Sequence, residues 1–308
     1  MVCSNVNNSR SASDNSEPNE DKTASASCND TAVNEIPSMS CIHKFITASQ
    51  GDTVLQGHSI RDVCLLAAYM VLVDGASMDE VAKYFDSAIN AIKSRRSDHH
   101  TKVVAAKSLL SSLHHARRVG WIQYDEIGES ALCSDSLEEG FHYASPVNGN
   151  VWTVVPGGLL VFFNPSDLPE DRLWEDETTD IATTRRFSAR YYAELFRDLD
   201  IPLVARLSVG RPEDGAMFEA HGVAFEDGLL PSAHPAAALR AHDRLLTLAR
   251  AAGGPIALQC GAASAAEAGT LVTAYLMEQE GFGAGEAEAW LRLMCPQLLP
   301  RVSDAQFQ

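Results

Sequence analysis

The sequence predicts an α/β protein whose second half carries a mostly parallel, buried sheet. Three observations lead there. From about residue 151 to residue 294, short apolar strand segments alternate with helical ones, the pattern of strands joined by crossover helices. Before that, residues 41 to about 145 read mostly helical. The chain also has 308 residues, 45% of them hydrophobic, enough for two domains of ordinary size and a substantial core.

The elements follow in order. Residues 1–40 are rich in Ser, Asn, Asp and Glu, with no apolar stretch of the kind that opens a signal peptide. They are expected to form a disordered polar tail, because so little apolar surface cannot offset the entropy of ordering. Lys44 to Thr47 has the composition of a short strand. Ile60 to Leu72 (IRDVCLLAAYMVL) is an apolar run of helical length that Gly75 stops. Ser77 and Glu80 form a capping box for a helix from Met78 towards Ile92. A third helix, about Lys102 to Val119, carries Leu109, Leu110 and Leu113 on one face and ends at Gly120. From Tyr124 to Gly149 the chain is acidic and reads as a linker. Strands are expected at Val151–Val155 and Leu159–Phe163, split by Pro156-Gly157-Gly158. Residues 166–185 are charged and loop-like. A helix from about Ala189 to Leu199 leads to a strand at Leu203–Leu207, and another short strand centres on Val223 to Phe225. A helix over about Pro235–Ala252 precedes a strand (Pro255–Gln259), a loop (Cys260–Ala268), a helix (Gly269–Gln279) and a last helix from about Gly285 to Met294.

Charge excludes some function classes. There are 41 acidic residues against 24 basic ones, a net charge of −17. Nucleic-acid backbones and anionic lipid surfaces need Lys and Arg, so neither is an expected partner. No apolar run reaches the roughly 18 residues of a membrane-spanning helix. The seven cysteines, Cys3, Cys28, Cys41, Cys64, Cys133, Cys260 and Cys295, are scattered and lack CxxC pairs. That suits free thiols in a reducing compartment, cytoplasmic or nuclear and not secreted, better than a disulfide framework or a zinc site. The pairs His99-His100 and His114-His115 point in different directions on a helix and read as helix-surface histidines, not metal ligands.

One junction stands out. A buried strand that runs into a loop and a helix start is a ready anion site, because free backbone N–H groups and the positive helix end converge there. Cys260 sits at the end of such a strand, where a thiol could be activated as a nucleophile. It could equally be a small residue at a strand end.

The residues around this junction carry a resemblance. Gly269 through Met277 (GTLVTAYLM), followed by Glu286 through Pro296 (EAEAWLRLMCP), resembles the helices after the catalytic loop of cysteine-dependent protein phosphatases, in particular the cell-division-cycle dual-specificity phosphatases of the mitotic-exit type. Phe225-Glu226-Asp227-Gly228 with Pro231 resembles that family's general-acid loop. Trp152 to Gly157 with Asn164-Pro165 resembles the strand pair opening its catalytic domain, and Leu203 to Leu207 resembles its Val-Val-Arg-Leu strand. Ile60 to Leu72 and Leu110 to Tyr124 resemble its amino-terminal domain. The resemblance runs in order over roughly residues 55–300. It implies two tandem phosphatase-like domains, a non-catalytic one over residues 41–145 and a dual-specificity-phosphatase-like one over residues 146–308. It further implies Cys260 as nucleophile, Asp227 as general acid, a phosphoprotein or protein partner, a groove for an extended peptide between the domains, and no cofactor. Gln306 and Gln308 lie near the glutamines that position the hydrolytic water in the family. The family's long tail is expected to be absent.

The departure is at the centre. The family pattern is His-Cys, five residues, Arg, then Ser/Thr-Gly. Here the phosphate-loop segment is Cys260, Gly261, Ala262, Ala263, Ser264, Ala265, Ala266, Glu267, Ala268, Gly269. Counted back from Gly269, Glu267 stands in place of Arg, Gly261 stands at the nucleophile and Cys260 at the His. One inserted residue restores Cys260 as nucleophile but not the Arg. Losing an Arg fork removes two charged hydrogen bonds of about 1.5–3 kcal/mol each. A Glu about 4 Å from phosphate adds repulsion on the order of 4 kcal/mol per unit charge at an effective dielectric near 20. A helix dipole returns at most about 2 kcal/mol. The loop is therefore expected to bind phosphate poorly, unless Glu267 turns outward and Arg206, Arg211 or Arg301 reaches in. Three readings stay open: an inactive or impaired phosphatase acting as a binding scaffold, an active dual-specificity phosphatase using Cys260 and Asp227, and an interaction module using acidic surface such as Asp135 to Glu139.

Overall fold

The computed structural model describes residues 37–48, 59–91, 99–124, 135–169, 171–178, 183–207, 211–229 and 235–299. Most of the expected polar tail, together with Arg301, Gln306 and Gln308, lies outside them.

Five helices come first. Helix α1 spans Met39–Ala48, so the tail ends before residue 40 and Lys44 to Thr47 is helix, not strand. The reason is periodicity: Met39, Ile42 and Ile46 fall on one helical face and all three are buried. Helix α2 covers Ile60–Tyr69, capped by the Ser59 hydroxyl, which accepts from the Asp62 N–H at 3.1 Å. One π turn, Met70–Asp74, extends it to Gly75, whose φ of +69° suits glycine. Helix α3 is Met78–Ala91, with the Ser77–Glu80 capping box formed as expected: Ser77 N–H donates to Glu80 Oε2 at 2.9 Å and Glu80 N–H to Ser77 Oγ at 3.4 Å. Helix α4 is His99–Arg118. Helix α5, Asp135–Ala144, occupies part of the expected linker and packs along the sheet edge. Its Phe141 meets the main core and its Tyr143 the second core, so apolar side chains hold what the acidic composition hid.

The second half is the predicted α/β unit. Strands β1 (Val151–Val155) and β2 (Leu159–Phe163) form a hairpin, followed by β3 (Trp174–Thr178), β4 (Thr183–Phe187), α6 (Ala189–Asp198), β5 (Leu203–Arg206), α7 (Pro212–Ala220), β6 (Ala224–Glu226), α8 (Pro235–Ala252), β7 (Ile256–Cys260), α9 (Ala265–Gln279) and α10 (Ala284–Met294). The main sheet has the order β1-β2-β7-β5-β6; β1 runs antiparallel to β2 and the other pairs are parallel. Residues 166–185 are not all loop: β3 and β4 pair antiparallel. Their register sets Glu175 against Arg186 and Asp176 against Arg185, so opposite charges meet across the strands, while Trp174 faces Phe187 at the end that joins the second core.

Period-two alternation divides the core. Val161, Leu258 and Ala205 face one cluster, while Phe162, Ala257 and Val204 face the other. The first cluster runs without a break from Met39 through Leu110 and Trp152 to Trp290. Trp290 Nε1 donates to the Val154 carbonyl at 2.8 Å, and Trp121 stacks on Phe282 at 5.4 Å. The amino-terminal helices thus share one core with the sheet, and among their described residues they bring no strand.

Candidate functional site

The carboxyl ends of β2, β7, β5 and β6 come out on one edge, where parallel α/β sheets place their sites. Register brings Phe163 beside Cys260 and Arg206 beside Gln259, with Asp227 just beyond β6. The sequence-predicted residues therefore share one edge. Their chemistry differs from the expectation at each.

Cys260 is the last residue of β7 and is fully buried. Its carbonyl accepts from the Asn164 N–H at 2.9 Å. Gln259, where the inserted alignment puts the family's His, donates its Nε2–H to Asn164 Oδ1 at 3.1 Å. Burial pushes the Cys260 thiol up to about 12. At neutral pH about one molecule in 10⁵ would carry the thiolate. Cys295, also buried, lies near enough that Cys260 adds to the upward push that burial gives its own thiol. Cys64, Cys260 and Cys295 are free, but Cys41 is disulfide-bonded, so the all-thiol expectation fails there.

The expected loop to Ala268 is much shorter. A 3₁₀ turn occupies Ala262–Ser264 and α9 starts at Ala265 rather than Gly269. The cause is composition: Ala265, Ala266 and Ala268 are the strongest helix formers and draw the helix back into the loop. Ser264 then does what a ligand would do. Its hydroxyl accepts from the Gly261 N–H at 3.0 Å and donates to the Gly261 carbonyl at 3.2 Å. The amide after Cys260 therefore points at the chain's own side chain.

Glu267 is the third residue of α9, in the turn where the helix dipole favours an anion. The protein supplies there the negative charge that a phosphate would bring. Its Oε2 is buried without a hydrogen-bond partner. Ser264 with Glu267 has the S-x-x-E spacing of a capping box, but Ser264 makes no cap hydrogen bond to α9. Gly269 answers a packing demand: a Cβ there would lie 2.3 Å from the Leu298 carbonyl oxygen.

Asp227 is exposed but held. Arg206, only 4% exposed, donates from Nε to Asp227 Oδ1 at 3.0 Å and from Nη2 to Oδ2, and its Nη1 donates to the Arg211 carbonyl at 2.8 Å. Its guanidinium lies over the Phe225 ring at 5.0 Å. The hydrogen bonds from Arg206, aided by the Gly228 N–H, keep the Asp227 carboxyl below its usual range. A general acid needs the opposite. Arg211 meets Asp167 and Asp214, so of the three arginines considered as replacements Arg206 and Arg211 are engaged elsewhere, and Arg301 lies outside the described residues. A cavity of about 830 Å³ opens on this edge, lined by Asp167, Arg172, Arg211 and Asp214 among others, and not by Cys260.

One further expectation changes. His115 is no surface histidine: it is buried between α4 and α10, with Nε2 2.9 Å from the Glu280 carbonyl. Among the described residues no three His, Cys, Asp or Glu side chains converge to hold a metal ion, and no helix is long and apolar enough to cross a membrane.

No protein-family model matches the chain. Among curated proteins, it is 25% identical over 196 residues to dual specificity protein phosphatase CDC14C of Homo sapiens, covering 62% of this chain and 39% of that protein. It is 22% identical over 247 residues to tyrosine-protein phosphatase cdc-14 of Caenorhabditis elegans, covering 77% of this chain and 31% of that protein. The chain thus matches about a third of the length of these relatives. Among solved structures, P. aeruginosa TpbA, a cysteine-to-serine variant in complex with phosphotyrosine, matches at 15% identity with a TM-score of 0.27, covering 45% of this chain and 95% of that one. The chain resembles, by distant homology, the cysteine-dependent phosphatases of the cell-division-cycle dual-specificity kind.

Proposed function

We propose that the chain is a phosphatase-type module that has lost hydrolysis and is kept as a scaffold for a phosphoprotein or another protein partner. The Cys260 thiol carries this reading: it is fully buried, pushed up to about 12, and has no catalytic arginine in its loop. The early start of α9, the Ser264–Gly261 bonds and Glu267 in the first turn support it. Under this reading residues 41–145 descend from the family's non-catalytic domain and residues 146–308 from its catalytic one, joined through one continuous core.

The test is hydrolysis of an aryl phosphate and of a phosphotyrosine peptide between about pH 5.5 and pH 7, where activated cysteines work. No turnover is expected from the wild type, and none from Cys260→Ser or Asp227→Ala. Turnover that disappears in Cys260→Ser would overturn the proposal. It would support the second reading, an active phosphatase, which the position of Asp227 on the same strand edge favours.

A further inference from the structure

We propose that the pocket at the carboxyl end of α4 is an anion site that takes a phosphate monoester carried on a peptide, and that it acts independently of the loop at Cys260. The cavity measures about 490 Å³ and is lined by His114, Arg117, Arg118, Ile122, Gln123 and Tyr124. His114, Arg117 and Arg118 stand at i, i+3 and i+4, which puts them on one face of the helix. Buried Ile122 adds an apolar wall.

Both guanidiniums are positioned before any ligand arrives. Arg118 Nη2 donates to His115 Nδ1 at 3.2 Å. An accepting Nδ1 puts the ring proton on Nε2, which donates to the Glu280 carbonyl at 2.9 Å, so the packing of α4 near α10 orients the acceptor that holds Arg118. Arg117 is half-buried and lies across Gly75, where a Cβ would be 2.8 Å from Nη2.

Neither arginine makes an ion pair with a carboxylate among the described residues, although Arg118 lies close enough to Glu286 for their charges to interact. In the α/β half Arg185, Arg186, Arg206 and Arg211 each make such a pair. Among the described residues Arg117 and Arg118 are thus two neighbouring guanidiniums with no acid in ion-pair contact, in a chain of net charge −17. Their simplest other role is to complement the dipole of α4. That terminus carries only about half a negative charge, so two guanidiniums exceed it. A guanidinium fork matches the paired oxygens of a phosphate, and the Gln123 amide adds a donor at the rim. The negative net charge argues against a polyanion or an anionic bilayer, whose further charges would lie over acidic surface. One phosphate on a peptide meets only the pocket.

The experiment titrates the full chain at low salt with a phosphoserine peptide, its unphosphorylated twin, and vesicles containing phosphatidylserine. The phosphopeptide is expected to bind, the twin not. Arg117→Gln should weaken binding about tenfold, the scale of one lost charged fork, with thermal unfolding confirming that the variant is folded. Arg118→Lys should weaken it less, because charge survives while the fork is lost. Glu267→Gln and Cys260→Ser should leave it unchanged. Equal binding of both peptides, binding indifferent to Arg117→Gln in a folded variant, loss in Glu267→Gln instead, or binding to the vesicles in place of the peptide would each overturn the proposal. Because the phosphatase assay reads only the loop at Cys260, failure here and failure of the scaffold reading are separate results.

Discussion

Two strand ends share one edge of the sheet and have fared differently. At the end of β6, Asp227 keeps a partner, buried Arg206, and the pair is tied to Phe225 and to the Arg211 backbone. At the end of β7, burial holds Cys260 as a neutral thiol, and α9 starts at Ala265. The difference lies in what else each residue does. Asp227 answers a buried cation, so removing it would leave Arg206 uncompensated. Nothing in the fold depends on a thiolate at Cys260, because a neutral thiol packs well in an apolar strand end.

The widest gap should be in reactivity. A thiol near 12 holds about 10³-fold less thiolate at neutral pH than one at the ordinary value, and burial adds steric protection. Cys260 should therefore resist iodoacetamide at pH 7 in the native protein and react once denaturant exposes it, as mass spectrometry of the Cys260 peptide would report. The sign with pH follows. Its folded value lies above the ordinary 9.0, so its contribution to stability is intact below about pH 9 and is lost as pH rises towards 12. Labelling of native protein at neutral pH would return β7 to the same chemical class as an active site.

Stability comes next. Gly269→Ala should destabilise the protein by about 3 kcal/mol or more in urea unfolding, since the new Cβ meets the Leu298 backbone and not a side chain that can turn away. The match of Gly269 to the family is thus explained by the α9 packing it permits, without any phosphate. A loss below about 0.5 kcal/mol would remove that explanation.

Asp227→Asn tests the other strand end. Arg206 is buried but Asp227 is half exposed, so the full penalty of a broken buried pair is reduced by solvent, to about 1–2 kcal/mol. Arg206 holds the folded carboxyl below its ordinary 3.8. The stability gap between wild type and variant should therefore be full above about pH 5 and shrink as pH falls through the lowered value. A gap independent of pH down to about 2 would mean that the charge is not what matters there.

How much of this was legible depended on the kind of signal. Apolar segments in the second half reported β1, β2, β5 and β7 almost residue for residue, because a buried parallel sheet is encoded in the residues themselves. The hairpin of β3 and β4 was not legible: its pairing is Glu175 with Arg186 and Asp176 with Arg185, and charge pairing across a turn leaves no period in one strand alone. Lys44 to Thr47 looked like a strand because four residues are too short for a helical period to emerge; Met39 and Ile46 supply it. At the candidate site the loss of Arg was visible as Glu267. What closed the loop was not sought there: Ser264 and Glu267 have the same spacing as Ser77 and Glu80, but the Ser264 hydroxyl turns back to Gly261 instead of capping α9, a local bond that spacing does not report.

The smallest effect is also the most direct on that point. Ser264→Ala removes the hydroxyl that serves both the N–H and the carbonyl of Gly261. Gly261 and Ser264 are only partly buried, so water can replace much of what is lost, and the cost should be about 0.5–1 kcal/mol. The informative readout is the Gly261 amide. Freed from Ser264, it should exchange with solvent faster and move under added inorganic phosphate, as amide resonances would report. The Cys260 thiol should stay unreactive, because its burial comes from β7 and the core behind it and not from Ser264. An amide that opens beside a thiol that stays shut would show that the Ser264 bonds to Gly261 and the burial of Cys260 are independent features of this strand end.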